Sequence, residues 1–382
     1  MSANNILGID ASNIRTGGGL THLVELLNAA NPPLYGFKKV VIWSSKSTLS
    51  CIKNHSWLKK CFHKSLDKNL LNRVFWQKYY LNDELNNENC NLLFVPGGSF
   101  VTSFRPIITI SQNLLPFELK EIYRYGLSFL TLKFLLLRYS QTKSFKNADG
   151  VIFLTKYAQK RVIDQIGLIS ANQTVIPHGL DSRFFVKQKK YLPLTAFSLN
   201  KLIKVIYVSS IEPYKHQLNV LDAISILRNK GIPVALDLIG QSNKANLIQL
   251  KNKINEVDPD ENFVRYYGEV AHSKIKDYYD NADIAIFASS CETFGQILIE
   301  GMATGLPTAC SNMSAMSEIL GDSGIYFDPL DPYSIADNLK ILIESQELRL
   351  KNGSSSIIKA KKYSWSNCAD QTFNFFRQFL DS

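Results

Sequence analysis

Ser290-Cys291-Glu292-Thr293-Phe294-Gly295-Gln296-Ile297-Leu298-Ile299-Glu300-Gly301-Met302-Ala303-Thr304-Gly305-Leu306-Pro307 holds two carboxylates eight positions apart, and its reading decides the fold. Just before it, Ile284-Ala285-Ile286-Phe287-Ala288 is a short apolar run of strand length. Within it, Ile297, Leu298, Gly301 and Met302 share one face at a 3.6-residue period, and Gly305-Leu306-Pro307 ends that helix. Glu292 therefore falls in the loop at the carboxyl end of a strand, and Glu300 within the helix that follows. In an open α/β sheet this is the edge where ligands bind. Gly295 lets the backbone approach a ligand closely, and a helix N-terminus there favours anionic groups. In outline this is a site for sugar and phosphate.

Outward from this segment the same strand-helix alternation recurs. Val205-Ile206-Tyr207-Val208, Ala235 to Gly240 and Phe263 to Gly268 precede it as strands of one doubly wound domain. An earlier set comprises Ile6 to Asp10, Val40 to Trp43, Leu92 to Val95, Ile107 to Ile110 and Val151 to Leu154. After the first of these strands, Thr16-Gly17-Gly18-Gly19 reads as a turn and Leu20 to Leu27 as a helix. Adjacent glycines there allow N–H groups to face a phosphate without Cβ interference. Their spacing is not that of the dinucleotide fingerprint. His22 and His178 read as packing or structural histidines. Between the two sets lie Val175-Ile176-Pro177-His178-Gly179-Leu180-Asp181 and a basic stretch from Lys187 to Lys190. The expected domains are residues 1–183 and 184–364. A C-terminal helix, residues 365–382, follows and brings Phe373, Phe375, Phe376 and Phe379.

The chain has 382 residues, enough for two such domains, with 45% hydrophobic and 20% charged residues. Six scattered cysteines form no Cys-x-x-Cys pair or zinc pattern, and no signal peptide is evident; reduced thiols and a cytoplasmic location are expected. The net charge of +10 is unevenly placed, with 22 Lys+Arg against 11 Asp+Glu in residues 1–185 and 21 against 22 thereafter. An excess of this kind attracts an anionic partner or simply favours solubility. No recognition motif for nucleic acid accompanies it. Tyr125 to Tyr139 is apolar with two basic interruptions, too short for a bilayer span of about 20 residues. It suits either a helix lying at a membrane interface or a core helix of the first domain.

The segment from Ser290 to Pro307 resembles the Glu-x7-Glu signature of retaining glycosyltransferases of the GT-B fold, glycosyltransferase family 4 in particular. The resemblance implies two Rossmann-like domains facing across a cleft, with a last helix that returns to the first domain. It implies that Glu292 contacts donor-sugar hydroxyls and that Thr293 and the amides around Phe294, Gly295 and Gln296 hold sugar and diphosphate. Glu300 would then accept from ribose hydroxyls. The glycine loop Gly17, Gly18 and Gly19 is similar to one that faces the donor diphosphate in these enzymes. Ser209-Ser210-Ile211-Glu212-Pro213-Tyr214-Lys215 resembles the segment in which an arginine and a lysine grip that diphosphate. Lys215 matches the lysine, whereas Ser210 stands where the arginine is expected and brings no charge. Ser111 to Glu118 corresponds to the acceptor region and lacks the usual histidine, leaving Asn113 and Glu118 as acceptor-binding candidates.

Sugar transfer leaves negative charge on the departing diphosphate, which either a divalent metal or cationic groups must stabilise. Asp258-Pro259-Asp260 has the Asp-x-Asp spacing of a metal motif, but its polar setting reads as a turn. No metal or other cofactor is therefore expected, and the catalytic pair is Lys215 and Glu292. The expected partners are a nucleotide sugar, a glycan or polyprenyl-diphosphate-linked acceptor and an anionic membrane surface. A surface-polysaccharide pathway in bacteria is the expected setting. Three other readings compete with this one. Glu292 and Glu300 as the acid and base of a glycoside hydrolase are disfavoured by the phosphate-binding elements around them. A sugar-nucleotide epimerase would lack the Phe294-Gly295 context, and a catalytically silent nucleotide-sugar-binding scaffold would accord with the neutral Ser210.

Overall fold

The computed structural model describes residues 4–186 and 189–380. Lys187 and Gln188 of the basic interdomain stretch, and the last two residues of the expected C-terminal helix segment, lie outside the described residues. The chain forms two compact units, each built on a parallel sheet.

In the first unit the strands are β1 (Asn5–Asp10), β2 (Phe37–Ser44), β3 (Leu58–Phe62), β4 (Leu92–Val95), β5 (Ile107–Ser111), β6 (Gly150–Phe153) and β7 (Asn172–Val175). They run in the order β3-β2-β1-β4-β5-β6-β7, all parallel. β4, β5 and β6 are buried throughout, as strands covered on both faces must be. β3 and β7 were not legible as strands. They are edge strands with the polar sequences LKKCF and NQTV, because an edge needs no continuous apolar run.

The three glycines correct one expectation. Gly17, Gly18 and Gly19 are the first turn of the helix Gly17–Ala29 itself rather than a turn ahead of it. Thr16, with extended backbone, precedes that turn.

The last helix, Trp365–Arg377, packs in the first unit against Gly17–Ala29. Phe373 and Phe376 are fully buried, the Phe376 ring centre 4.9 Å from that of Phe94 of β4 with the planes tilted by 51°. The chain's return needs Gly179, where a Cβ would overlap the backbone of Ser364 and Trp365. His22 and His178 lie stacked at 4.7 Å, with Trp365 5.8 Å from His178. Both histidines are buried packing groups, and burial drives the pKa of His22 down to about 4.

The strands of the second unit are β8 (Ile203–Val208), β9 (Val234–Ile239), β10 (Val264–Tyr266), β11 (Ile284–Phe287), β12 (Thr308–Ser311) and β13 (Gly324–Phe327). Their order is β10-β9-β8-β11-β12-β13, again all parallel. Asp258 caps the turn before β10, its carboxylate accepting from the N–H groups of Asn262, Phe263 and Val264 at 2.9, 2.8 and 2.7 Å.

The units differ from the expected bounds in one substantive place. The first runs to Phe117, resumes over Ser128–Gly179 and takes in the chain from Tyr363 onward; the second comprises Glu118–Leu127 and Leu180–Lys362. Residues 118–127 therefore pack with the second unit, where the Tyr125 hydroxyl donates to Glu212 Oε2 at 3.0 Å.

Candidate functional site

β8 is followed outward by β9 and β10 on one side, while β11 flanks it on the other, so the order of strand addition reverses between the parallel β8 and β11. The loops after these two strands leave the sheet at a topological switch point, the place where open α/β sheets bind ligands. One loop carries Lys215 and the other Glu292.

Lys215 ends a short 3-10 turn, Pro213–Lys215, whose proline presets the backbone. Its N–H donates to Glu212 O at 2.9 Å, and its carbonyl accepts from the Tyr207 hydroxyl at 2.6 Å. The Lys215 ammonium pairs with Glu292 Oε1 and lies 5.3 Å from the centre of the Phe287 ring. His216 follows in the left-handed region (φ 51°) and opens the helix Gln217–Asn229. The two loops are bolted together. Ser290 N–H donates to Tyr214 O at 2.9 Å, and Ser290 Oγ lies 2.8 Å from His216 Nε2. Burial lowers the pKa of His216 to about 4, so the ring is neutral. Glu292 is held through its backbone. Its N–H donates to Ser314 Oγ at 2.7 Å, and Ser314 Oγ donates back to Glu292 O at 2.8 Å.

Thr293 and Phe294 are buried, and Gly295 adopts φ 93° as it turns the chain into the helix Gln296–Ala303. That helix has no side-chain cap at Gly295, and the positive end of its dipole suits an anion. Glu300, on this helix, is 1% exposed. Oε1 accepts from His272 Nε2 at 2.8 Å, while Oε2 is buried with no hydrogen-bond partner among the described residues. Burial raises the Glu300 pKa above the ordinary carboxylate value, against the opposing pull of the His272 hydrogen bond.

Ser210 is half-buried in the loop after β8, its carbonyl accepting from Gln217 Nε2 at 2.8 Å. Beside this loop opens a cavity of about 390 Å³ lined by Arg124, Glu212, His216, Asn219 and Asn246, among others. The structure thus brings Ser210, Lys215, Glu292, Thr293, Phe294, Gly295, Gln296 and Glu300 to one edge of the second sheet. Gly17, Gly18 and Gly19 belong to the first unit, where Gly17 and Gly18 are exposed with no atom within 4 Å of a Cβ built on either.

Asn113 and Glu118 do not form a common cluster within one unit. Asn113 is in the first, with Oδ1 accepting from Leu115 N–H at 3.1 Å; Glu118 is buried in the second. His272 and Arg183, whose Nη2 lies 2.6 Å from His272 Nδ1, were not legible as site residues. Neither belongs to a recognisable motif, and both reach Glu300 only through folding.

Residues 197–357 match the family model of group 1 glycosyl transferases. The chain is 25% identical over 236 residues to O-antigen chain mannosyltransferase B of Escherichia coli. That stretch is 62% of this chain and 59% of the relative, so the match spans less than two thirds of the relative's length. Among solved structures, sucrose-phosphate synthase from Thermosynechococcus elongatus superposes with a TM-score of 0.76 at 15% identity, covering 99% of this chain and 100% of that one. The Anabaena protein HepE, solved in complex with UDP-glucose, gives a TM-score of 0.70 at 16% identity over 98% of each chain. These two likenesses establish the fold: paired Rossmann-like domains of the GT-B type. The match to the group 1 glycosyl transferases lies within the second of these domains.

Proposed function

We propose that the chain is a retaining glycosyltransferase that moves a sugar from a nucleoside-diphosphate sugar to a glycan or polyprenyl-diphosphate-linked acceptor. The observation that carries this reading is the convergence at one switch point of the Lys215–Glu292 pair and the uncapped start of the helix that bears Glu300. Glu300 Oε2, with no hydrogen-bond partner among the described residues, is an acceptor suited to a ribose hydroxyl. Glu292 would receive sugar hydroxyls. Thr293 and the amides near Phe294, Gly295 and Gln296 would hold the sugar and diphosphate.

As the bond from anomeric carbon to phosphate oxygen breaks, charge gathers on the diphosphate. Lys215 would stabilise it together with the helix dipole. A unit charge at 4 Å is worth roughly 4 kcal/mol at an effective dielectric near 20. Lys215 thus carries the task that Ser210 does not share, and no metal is required. Attack on the same face that the diphosphate leaves retains anomeric configuration without a protein nucleophile. Gly17, Gly18 and Gly19 would contribute amides to the diphosphate, while Asn113 and Glu118 remain the acceptor-binding candidates.

Features of the first unit support this acceptor class. On the helix Phe129–Asn147, Phe129, Leu132, Leu136 and Tyr139 are exposed beside the exposed Lys133, Lys143 and Lys146. On Leu70–Tyr79, Leu71, Phe75 and Tyr79 are exposed beside Lys78. Apolar side chains beside lysines suit an anionic membrane surface, and with it a lipid-linked acceptor on the cytoplasmic face. No described helix is long and apolar enough to cross a membrane. The mannosyltransferase relative named for the O-antigen chain supports a surface-polysaccharide setting.

The decisive experiment is a thermal-shift panel with UDP, GDP, ADP and CMP, with and without EDTA. A ligand specific to the folded state adds about 2.7 kcal/mol at 100 times its dissociation constant. An EDTA-insensitive shift with one nucleoside diphosphate, followed by transfer or slow hydrolysis of the matching sugar donor, supports the reading. No shift with any nucleotide overturns it, and binding without turnover would favour a silent nucleotide-sugar-binding scaffold. Vesicles containing anionic lipid should bind the protein at low salt and release it at high salt.

A further inference from the structure

We propose that His272, oriented by Arg183, is a positioning residue that aims the Glu300 carboxylate at the ribose of the bound nucleotide and so sets a preference for ribonucleotides. The inference rests on the nucleotide-binding reading above and adds to it residues outside the Glu-x7-Glu segment.

The direction of each hydrogen bond follows from chemistry. Arg183 Nη2 lies 2.6 Å from His272 Nδ1 and 3.2 Å from His272 O. A guanidinium only donates, so Nδ1 must offer its lone pair. The ring proton is then on Nε2, where it is donated to Glu300 Oε1 at 2.8 Å. Arg183 is itself anchored by Asp181, its Nε 3.3 Å from Asp181 Oδ2 and its backbone N–H donating to Oδ1 at 2.9 Å. Asp181 thus holds Arg183 by an ion pair and a backbone hydrogen bond, and oriented donors run from Arg183 through His272 to Glu300.

Its consequence falls on the other carboxylate oxygen. With Oε1 engaged, the carboxylate plane is set and Oε2 is left buried with no partner among the described residues. A buried acceptor without a donor is unfavourable, and a ligand hydroxyl placed there relieves it. His272 is 49% exposed, so its own burial does not demand this arrangement. Without His272 the carboxylate is free to rotate and its aim is lost. The vicinal hydroxyls of a ribose supply the missing donor; a dideoxyribose supplies none.

The test uses the full chain and calorimetric titration of UDP, GDP and ADP, each against its 2′,3′-dideoxy form. For the nucleotide that binds, the unmutated protein should prefer the ribose form by about tenfold or more, the strength of one hydrogen bond to a charged group. His272→Ala and Arg183→Ala should bring that ratio to within about threefold while leaving dideoxy affinity unchanged. His272→Gln, which restores an N–H donor, should recover most of the ratio. A His272→Ala protein that keeps the original ratio, or loses affinity equally for both forms, overturns the positioning role. Binding by the unmutated protein without ribose discrimination overturns the role of Glu300 and this inference with it, while leaving the nucleotide site standing. Binding of no nucleotide overturns the functional reading itself.

Discussion

Lys215 and Glu292, 77 positions apart, form an ion pair at the carboxyl edge of the second sheet, with side chains only 10% and 17% exposed. Each neutralises a charge that would otherwise be buried alone. The pair therefore links the stability of the two switch-point loops to the chemistry proposed for them.

Lys215→Ala should lower turnover at least ~100-fold, because the cation at the diphosphate is lost and every ~1.4 kcal/mol is tenfold in rate. It also leaves Glu292 unpaired, a cost of about 3–5 kcal/mol for a buried pair. The double variant Lys215→Met with Glu292→Gln separates the two effects. It should recover much of the melting temperature and none of the turnover. Steady-state transfer assays and melting curves on both variants decide it, and near-normal turnover in either removes Lys215 from the mechanism.

Glu300→Gln should trade stability against binding. Burial raises the folded-state pKa of Glu300, so its favourable contribution is complete at low pH and lost as pH rises through the folded value. The neutral variant should therefore gain melting temperature relative to the unmutated protein as pH climbs from about 4.5, the ordinary carboxylate value. Its nucleotide affinity should fall by about tenfold. Melting curves across pH 4.5 to 8 that stay parallel for the two proteins would contradict the first half.

His216 and His22 should make the chain acid-sensitive. Both have pKa values lowered by burial from 6.5 to about 4. A depressed histidine contributes stability fully above its unfolded pKa, and that stability is lost as pH falls from 6.5 towards 4. The slope is about 1.4 kcal/mol per pH unit for each histidine. Because one sits in each unit, urea midpoints should fall for both units in this window. His216→Asn, whose side chain tolerates the left-handed backbone, should flatten the loss in the second unit only. An unchanged pH profile in that variant would exclude His216 as a source.

Gly295→Ala should destabilise the second unit by about 1–2 kcal/mol, since φ 93° is strained for any residue with a Cβ. The added methyl also comes within 2.9 Å of Met316 Cε, the flexible end of a side chain that yields readily. Backbone strain should therefore dominate, and Met316→Ala should not rescue the variant. Urea denaturation of the single and double variants checks this; full rescue would identify crowding as the cause.

Much of this molecule was legible in the order of its residues. Runs such as Leu92–Val95 and Ile284–Phe287 are strands because central parallel strands are buried on both faces and must be apolar throughout. The loop position of Glu292 and the helical position of Glu300 followed from a local period, since backbone geometry alone sets which neighbours share a face. The edge strands Leu58–Phe62 and Asn172–Val175 were not legible, because their polar residues satisfy no such pattern. Nor was the packing of residues 118–127 with the second unit, which depends on Tyr125 meeting Glu212, 87 positions away.

Short windows of residues already carried the two-domain α/β plan, the candidate carboxylates and the lysine. Only the tertiary structure decided which groups meet: Lys215 with Glu292, and Arg183 with His272 and through it Glu300. The reason is physical. Periodicity is a property of neighbouring residues, whereas charge pairing and the direction of a hydrogen bond depend on distances that exist only once the sheet has brought remote loops to a common edge.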